Sequence, residues 1–379
     1  MKFNFHKKNI SAFLLALAVL LFSSCQEVVF DNIRKEVQLE EGKIAGDIRS
    51  IVRYGDYFYI ANGGIYFKNK DWHFYGVWFP SQTPTTSKTD HVLKLAADQN
   101  YLYALVGISV ENEKEGENIG IAKSLYYSTD GSNWTLIKAL GTDGVIPYEK
   151  KYPLYTYLIC TNTINPANRK AYIIFNSTQF PELNSAYELN GENVKELELA
   201  DLTTELNPIG GDKPFSNAFI ISRSCVWYNG KVLFFNSNAA TTNETAASPA
   251  TMYYYGNGSF ICWGGASVNT VGIACKSVPV SMGVTSDFLL VGTDSGIVHH
   301  LFTNGIPGDS FPFVTNAAAT LSSAYIINSL LVAYPELSET QTPIYASQVY
   351  MGNGSADSAQ FDHVGLWAYY PERGNWNRE

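Results

Sequence analysis

The chain has 379 residues, 46% hydrophobic and 16% charged, with 35 acidic against 26 basic side chains and a formal net charge of −9. That balance excludes a disordered chain, and an acidic protein without a basic cluster is a poor binder of nucleic acid or anionic surfaces. The 25 Tyr, 21 Phe and 7 Trp against 4 Met favour strands, whose pleated surface accommodates aromatic rings.

The N-terminus reads as a targeting segment. Lys2, Lys7 and Lys8 precede an apolar run of 13 residues, Ile10 to Phe22, too short for an ordinary membrane-spanning helix and suited to the core of an export signal. The run ends in Phe22-Ser23-Ser24-Cys25, which resembles the lipobox of bacterial lipoproteins, although Phe22 stands where that motif prefers Leu. The resemblance implies cleavage before Cys25 and lipidation of its thiol and new amino group. Several acyl chains on one residue anchor stably where a single chain holds marginally. An ordinary secretory signal with an incidental cysteine is the alternative. Gln26 occupies the place where lipoproteins kept at the inner membrane carry Asp, so the same resemblance points to the outer membrane, with the periplasmic or external side left open. Residues 1–24 are thus expected to be a signal peptide, 25–47 a lipid-anchored segment and 48–379 a single domain. Losing the signal removes three positive charges and no negative one, which takes the net charge from −9 to −12. Cys160, Cys225, Cys262 and Cys275 would remain, with three possible disulfide pairings. They sit in apolar stretches without a C-x-x-C spacing, which suits buried free thiols at least as well as bridges.

Beyond residue 48 two phrases alternate. The first is an apolar run, a Gly/Asn/Asp turn and a second apolar run. Its copies are Ile51 to Ile60, Leu93 to Leu105 turning at Asp98-Gln99-Asn100, and Tyr157 to Phe175 turning near Asn168. Phe219 to Phe235 turns at Asn229-Gly230, Val271 to Val291 at Asp287, and Tyr325 to Ala333 near Asn328. The second phrase is a strand, a tight turn and a tryptophan-led return, clearest in Leu125-Tyr126-Tyr127-Ser128-Thr129-Asp130-Gly131-Ser132-Asn133-Trp134. It is echoed at Gly64 to Trp72 and Leu366 to Trp376, and more weakly at Ala186 to Gly191 and Met252 to Gly258. Such runs bounded by turn residues predict hairpins. In the first unit they predict strands Ser50 to Tyr54, Tyr57 to Ala61, Gly64 to Lys68 and Trp72 to Val77.

Six units start near residues 48, 91, 155, 217, 270 and 321. Four-stranded units of this length, repeated in series, predict an all-β chain folded as a β-propeller, with six blades and seven as the alternative count. The long intervals fall between second and third strands (107–123, 176–185, 236–251, 335–365) or between units (78–90, 141–154, 200–216). In a propeller blade both kinds emerge on one face, so the binding residues are expected there.

Ser128 to Trp134 resembles the Asp-box of sialidase-like, BNR-type propellers, with the Asp-to-Trp interval one residue short. The resemblance implies a structural role for Ser128, Asp130, Gly131 and Trp134: the aspartate bonds amides of its own turn and the tryptophan packs between sheets, away from any catalytic site. Sialidases hold a carboxylate with three arginines, beside a Tyr–Glu nucleophile pair and an Asp acid. The family's opening Phe-Arg-Ile-Pro is missing here. Arg53 and Arg223 fall in first strands and are the candidates for a partial cluster, against ordinary solvated or paired roles. Trp78, Phe79, Tyr152, Tyr155 and Phe215 flank the long intervals, where flat rings stack on sugars or anchor a protein; packing between blades competes for each. The chain lacks a G-x-S-x-G elbow, an H-E-x-x-H pair, a P-loop and an EF-hand loop, and its histidines lack metal-ligand spacing. No catalytic residue, metal or cofactor is therefore assigned. The expected function is a membrane-anchored, non-catalytic propeller that binds a glycan or a cell-envelope protein; a glycoside hydrolase on the same scaffold is the alternative.

Overall fold

A computed structural model describes residues 44, 48–68, 72–75, 91–109, 121–140, 145–146, 155–176, 185–197, 224–228, 231–235, 252–256, 259–262, 279–293, 296–303, 306–313, 325–338, 340–350 and 364–379. The first blade is a meander of β1 (Ser50–Tyr54), β2 (Tyr57–Asn62), β3 (Gly64–Lys68) and β4 (Trp72–Tyr75). The second holds β5 (His91–Ala97), β6 (Leu102–Ser109), β7 (Ile121–Ser128) and β8 (Thr135–Leu136), and a short β9 (Val145–Ile146) also pairs with β7. The third holds β10 (Tyr155–Thr163), β11 (Ala171–Asn176), β12 (Ser185–Asn190) and β13 (Asn193–Glu196), and the fourth β14 (Cys225–Tyr228), β15 (Lys231–Phe235), β16 (Met252–Gly256) and β17 (Ser259–Cys262). The fifth has β18 (Pro279–Val284), β19 (Phe288–Thr293), β20 (Gly296–Thr303) and β21 (Ile306–Pro312), and the sixth β22 (Tyr325–Val332), β23 (Ile344–Tyr350), β24 (Gly365–Tyr370) and β25 (Asn375–Arg378).

These six meanders form five hydrogen-bonded sheets, because β10 and β14 pair in parallel and merge the third and fourth into one of eight strands. The first strands neighbour one another in the order β1, β5, β10, β14, β18, β22 and back to β1. The chain is all-β and folds as a β-propeller whose innermost strands line the axis. In the described strands prolines take tolerant places: Pro307 and Pro312 lie on β21, an outer edge strand, and Pro279 opens β18.

Period-two alternation on each strand fills the spaces between blades. Val52, Tyr59, Ala61 and Ile65 of the first blade pack with Val92, Leu102, Ala104, Val106, Tyr126 and Trp134 of the second. Ala96, Tyr103, Leu105 and Leu125 meet Leu158, Ile173, Phe175 and Leu189 across the next interface. Phe288, Leu290 and Ile297 meet Ile327, Leu330, Trp367 and Trp376 between the fifth and sixth.

Each blade is built from four consecutive strands, so the ring closes by packing between the first and last blades and not by exchange of a strand. Ile44, Ile48, Ile51, Phe58 and Ile60 meet Leu331, Ala333, Tyr345, Leu366 and Ala368. Polar links reinforce this seam: Ile51 N–H donates to Ser329 Oγ (3.0 Å), and the Asn328 amide donates to Ile48 O (3.0 Å). Lys68 Nζ lies 2.7 Å from Glu379 Oε2, whose other oxygen accepts the Tyr370 hydroxyl at 2.6 Å.

The sixth unit departs from expectation. Asn328 is not a hairpin turn but sits mid-strand in β22, at a β-bulge between Ile327 and Ser329. The hairpin from β22 to β23 instead turns through residues 333–343, so the interval expected to run from 335 to 365 between second and third strands is shorter, from 351 to 364. Asn favours turns because its amide bonds nearby backbone; here the bulge re-aims that amide at another blade's carbonyl.

Because both partners of the Lys68–Glu379 pair are 14% exposed or less, Glu379→Gln should lower urea-unfolding stability by about 1.5–3 kcal/mol. Glu188→Gln, which breaks the more exposed Lys170–Glu188 pair, should cost less than about 1 kcal/mol. Equal losses in the two variants would refute a special role for the seam.

Candidate functional site

Antiparallel meanders with parallel first strands sort the connections into two faces. On one lie the turns from first to second and third to fourth strands, all short except residues 333–343. On the other lie the connections from second to third strands and between blades. These include the intervals from Tyr75 to His91, Ser109 to Ile121, Glu196 to Cys225, Phe235 to Met252 and Tyr350 to Gly365.

The short-turn face is stitched blade to blade. Asp130 Oδ1 accepts the backbone N–H groups of Ser132 and Asn133, each at 2.7 Å, and Oδ2 accepts the Asn133 amide at 2.7 Å. Ser128 Oγ accepts Gly131 N–H at 2.8 Å and donates to Asp130 Oδ1 at 3.0 Å. Gly131 has φ +75°, and a Cβ there would come within 2.5 Å of the Tyr59 hydroxyl of the first blade. Trp134, 7% exposed, continues into the same inter-blade cluster. The third blade repeats the device: Gly191, φ +61°, would bring a Cβ within 2.9 Å of Tyr101 in the second. Its N–H donates to the Tyr103 hydroxyl at 2.8 Å, which in turn donates to Asp98 Oδ2 at 2.5 Å. Asp98 Oδ1 also accepts the N–H groups of Asn100 and Tyr101; burial raises its carboxyl above the usual range against the pull of those bonds. The Tyr54 hydroxyl proton is shared between the carbonyls of Asn100 (2.7 Å) and Thr129 (2.8 Å), joining the first blade to two turns of the second.

Arg53 takes the paired role weighed against a channel cluster. It lies one residue before the end of β1, beside the short turn at Gly55, and therefore on the face opposite the long connections. Its guanidinium pairs with Glu336 Oε1 at 3.0 Å, donates to Ala333 O at 3.1 Å and stacks 4.7 Å from the Tyr334 ring centroid. Arg169, whose charge burial disfavours, crosses from the third blade to donate to Arg53 O at 2.6 Å. Arg53 is thus engaged in closing the ring. Tyr155 opens β10 opposite Asn176, at the long-connection end of that strand. Cys25, Trp78, Phe79, Tyr152, Phe215, Arg223 and Cys275 lie outside the described residues. Cys160 and Cys225 are free thiols. Thr161 is the register partner of Cys225, so Cys160 faces the other side of the sheet, and burial pushes both thiols up. Among the described residues no three His, Cys, Asp or Glu side chains group as metal ligands.

The axis holds a cavity of about 50 Å³ that residue-by-residue reading of motifs misses. Its polar lining is Arg49, Ser50, Lys94, Asn162, Ser224, Ser281, Asn328 and Ser329, with apolar residues such as Ile51, Leu95 and Leu158 between them. All six first strands or their flanks contribute. The polar groups link neighbouring blades: Leu95 N–H donates to Ser50 Oγ (2.8 Å), Met282 N–H to Ser224 Oγ (3.1 Å), and Ser281 Oγ to Ile327 O (2.7 Å). The Asn162 amide reaches Met282 O at 2.7 Å, and Lys94 Nζ donates to Arg49 O. The signal available in the sequence was a Ser or Asn in or just before five of the six first strands and Lys94 in the other, which carries no local motif. Among the described residues no carboxylate lines this space. It has room for a few waters or one small ion, not for a pyranose ring.

No family model matches the chain, and no curated protein matches it. Solved structures of similar shape include the tricorn protease (9% identity, TM-score 0.46, 88% of this chain and 26% of that one). Others are a Trypanosoma rangeli sialidase in complex with sialic acid (10%, 0.45, 82% and 53%) and AofleA from Arthrobotrys oligospora (11%, 0.47, 89% and 88%). The chain spans about a quarter of the protease chain and about half of the sialidase chain.

The amide bonds at the Asp130 turn hold its carboxyl at about 2, below the usual 3.8. A carboxyl depressed in the folded state stabilises fully above about pH 4, and that contribution is lost as the pH falls toward 2. Asp130→Ala should therefore lower stability at pH 7 by less than about 1 kcal/mol, the exposed site being screened by solvent. The difference from the parent in thermal unfolding should shrink from pH 4 to 2 and vanish only below pH 2; a difference that is constant from pH 7 to 2 would refute the charge-based role.

Proposed function

We propose that this chain is a lipid-anchored protein of the outer membrane, held by Cys25, whose propeller binds a glycan through its long-connection face without cleaving it. The observation that carries this reading is the division of labour between faces. Turn-to-turn hydrogen bonds through Tyr54, Tyr103 and Gly191 occupy the short-turn face, while most of the chain length not spent on strands leaves from the other. Loops carried on a rigid frame are where recognition concentrates. Trp78, Phe79, Tyr152, Tyr155 and Phe215 belong to or border those connections in the sequence, and their rings supply faces for sugars. The Ser128–Trp134 turn is read as an Asp-box that frames the blade.

The hydrolase alternative needs paired carboxylates near an axial arginine cluster. Arg53 is tied to Glu336 on the opposite face, and among the described residues the axial cavity is lined by donors without a carboxylate; both observations favour binding over turnover.

Two measurements test the proposal. Cys25→Ala should shift the protein from the membrane to the soluble fraction after cell lysis, and unchanged membrane retention would remove the anchor from the reading. A glycan-array screen of the mature chain, with product analysis on every hit, should show binding without turnover, weakened about tenfold or more by Trp78→Ala or Phe79→Ala. A cleaved product would restore the hydrolase, and an array without hits would point to an envelope protein as the partner.

A further inference from the structure

We infer that the axial cavity is a binding site for a small oxyanion such as inorganic phosphate or sulfate, held by Arg49 and the hydroxyls of Ser50 and Ser329. The hydrogen-bond inventory of the wall carries this. Ser50 Oγ already accepts Leu95 N–H, and Ser329 Oγ already accepts Ile51 N–H. Neither hydroxyl proton has an acceptor among the described residues, so each is available to donate. Arg49 lines the same cavity, and its guanidinium has no carboxylate or carbonyl partner among the described residues. The amide nitrogens of Asn162 and Asn328 are spent on Met282 O and Ile48 O, and Lys94 adds a second cation whose ammonium donates to Arg49 O. None of the described lining residues is acidic. A wall with protons to give, two cations and no carboxylate is complementary to an anion and repels a metal ion.

Size narrows the class. The space admits a few waters or one five-atom oxyanion. Water could accept from the hydroxyls and solvate the half-buried Arg49, but an oxyanion accepts from a guanidinium fork in a bidentate geometry that neither water nor a spherical halide can match. Because the donors come from the first and sixth blades, such an ion would sit on the seam where the ring closes.

The test uses the full chain in detergent. Calorimetric titration with sodium phosphate and with sodium sulfate, at ionic strength held constant, should show saturable one-to-one binding, and either ion should raise the unfolding temperature. Arg49→Gln should weaken binding by about tenfold or more, and Arg49→Lys should retain part of it. The Arg49 side chain is half-buried and makes no hydrogen bond or ion pair among the described residues, so both variants should match the parent in circular dichroism. The inference is overturned if neither oxyanion binds saturably, if Arg49→Gln binds as tightly as the parent, or if chloride at matched ionic strength binds equally well.

Discussion

An innermost strand of a ring has a ladder partner on one side only, and the rest of this structure answers that constraint. Each first strand pairs with the second strand of its own blade, which leaves a row of backbone N–H and C=O groups facing the next blade. Buried groups of that kind cannot be left unpaired without cost. Between the third and fourth blades the chain solves the problem with backbone, by parallel pairing of β10 and β14. At other interfaces it uses side chains: Ser50 toward β5, Ser224 toward β18, Ser281 toward β22, Ser329 toward β1. β-Bulges in β5, β18 and β22 let these strands depart from strict alternation near the axis. Ser50 and Ser329 each accept a neighbour's N–H and keep a hydroxyl proton to give, so the wall of the cavity gains donors as a by-product of closing the ring.

The outer part of each interface is governed by apolar burial and by a steric fit. Gly131 and Gly191 are both left-handed, and both turn their missing Cβ toward a tyrosine of the preceding blade. At each position any side chain would meet two penalties together, an unfavourable φ and a collision with the ring. The result is a short-turn face in which the turns of one blade rest on the aromatics of its neighbour. On the other face chain length has accumulated.

Local signals carried the strand reading far. The first blade's β1 and β3 fall at the residues expected from alternation and turn chemistry, and β2 and β4 differ only at their last residues. The turns at Asp98, Asp287 and Gly131 also lie where Gly, Asn and Asp cluster. Asn328 failed because the same amide chemistry that closes a turn locally can reach a carbonyl 280 residues away. Arg53 was legible as a first-strand residue, but its end of the strand, and hence its face, depended on where β1 stops and on Glu336 arriving from the sixth blade.

What the amino-acid sequence determined by itself was whatever depends on neighbours in the chain: hairpins, their repetition, the four-strand unit and the asymmetry of connection lengths. What only the tertiary structure decided was whatever depends on which first strand lies beside which. Ser50, Ser329 and Arg49 are ordinary residues in apolar segments until six blades bring them to one axis. Hydrogen bonds between strands hundreds of residues apart leave no periodic trace, because each needs one polar atom at one height along a strand, and that height is set by packing around the ring.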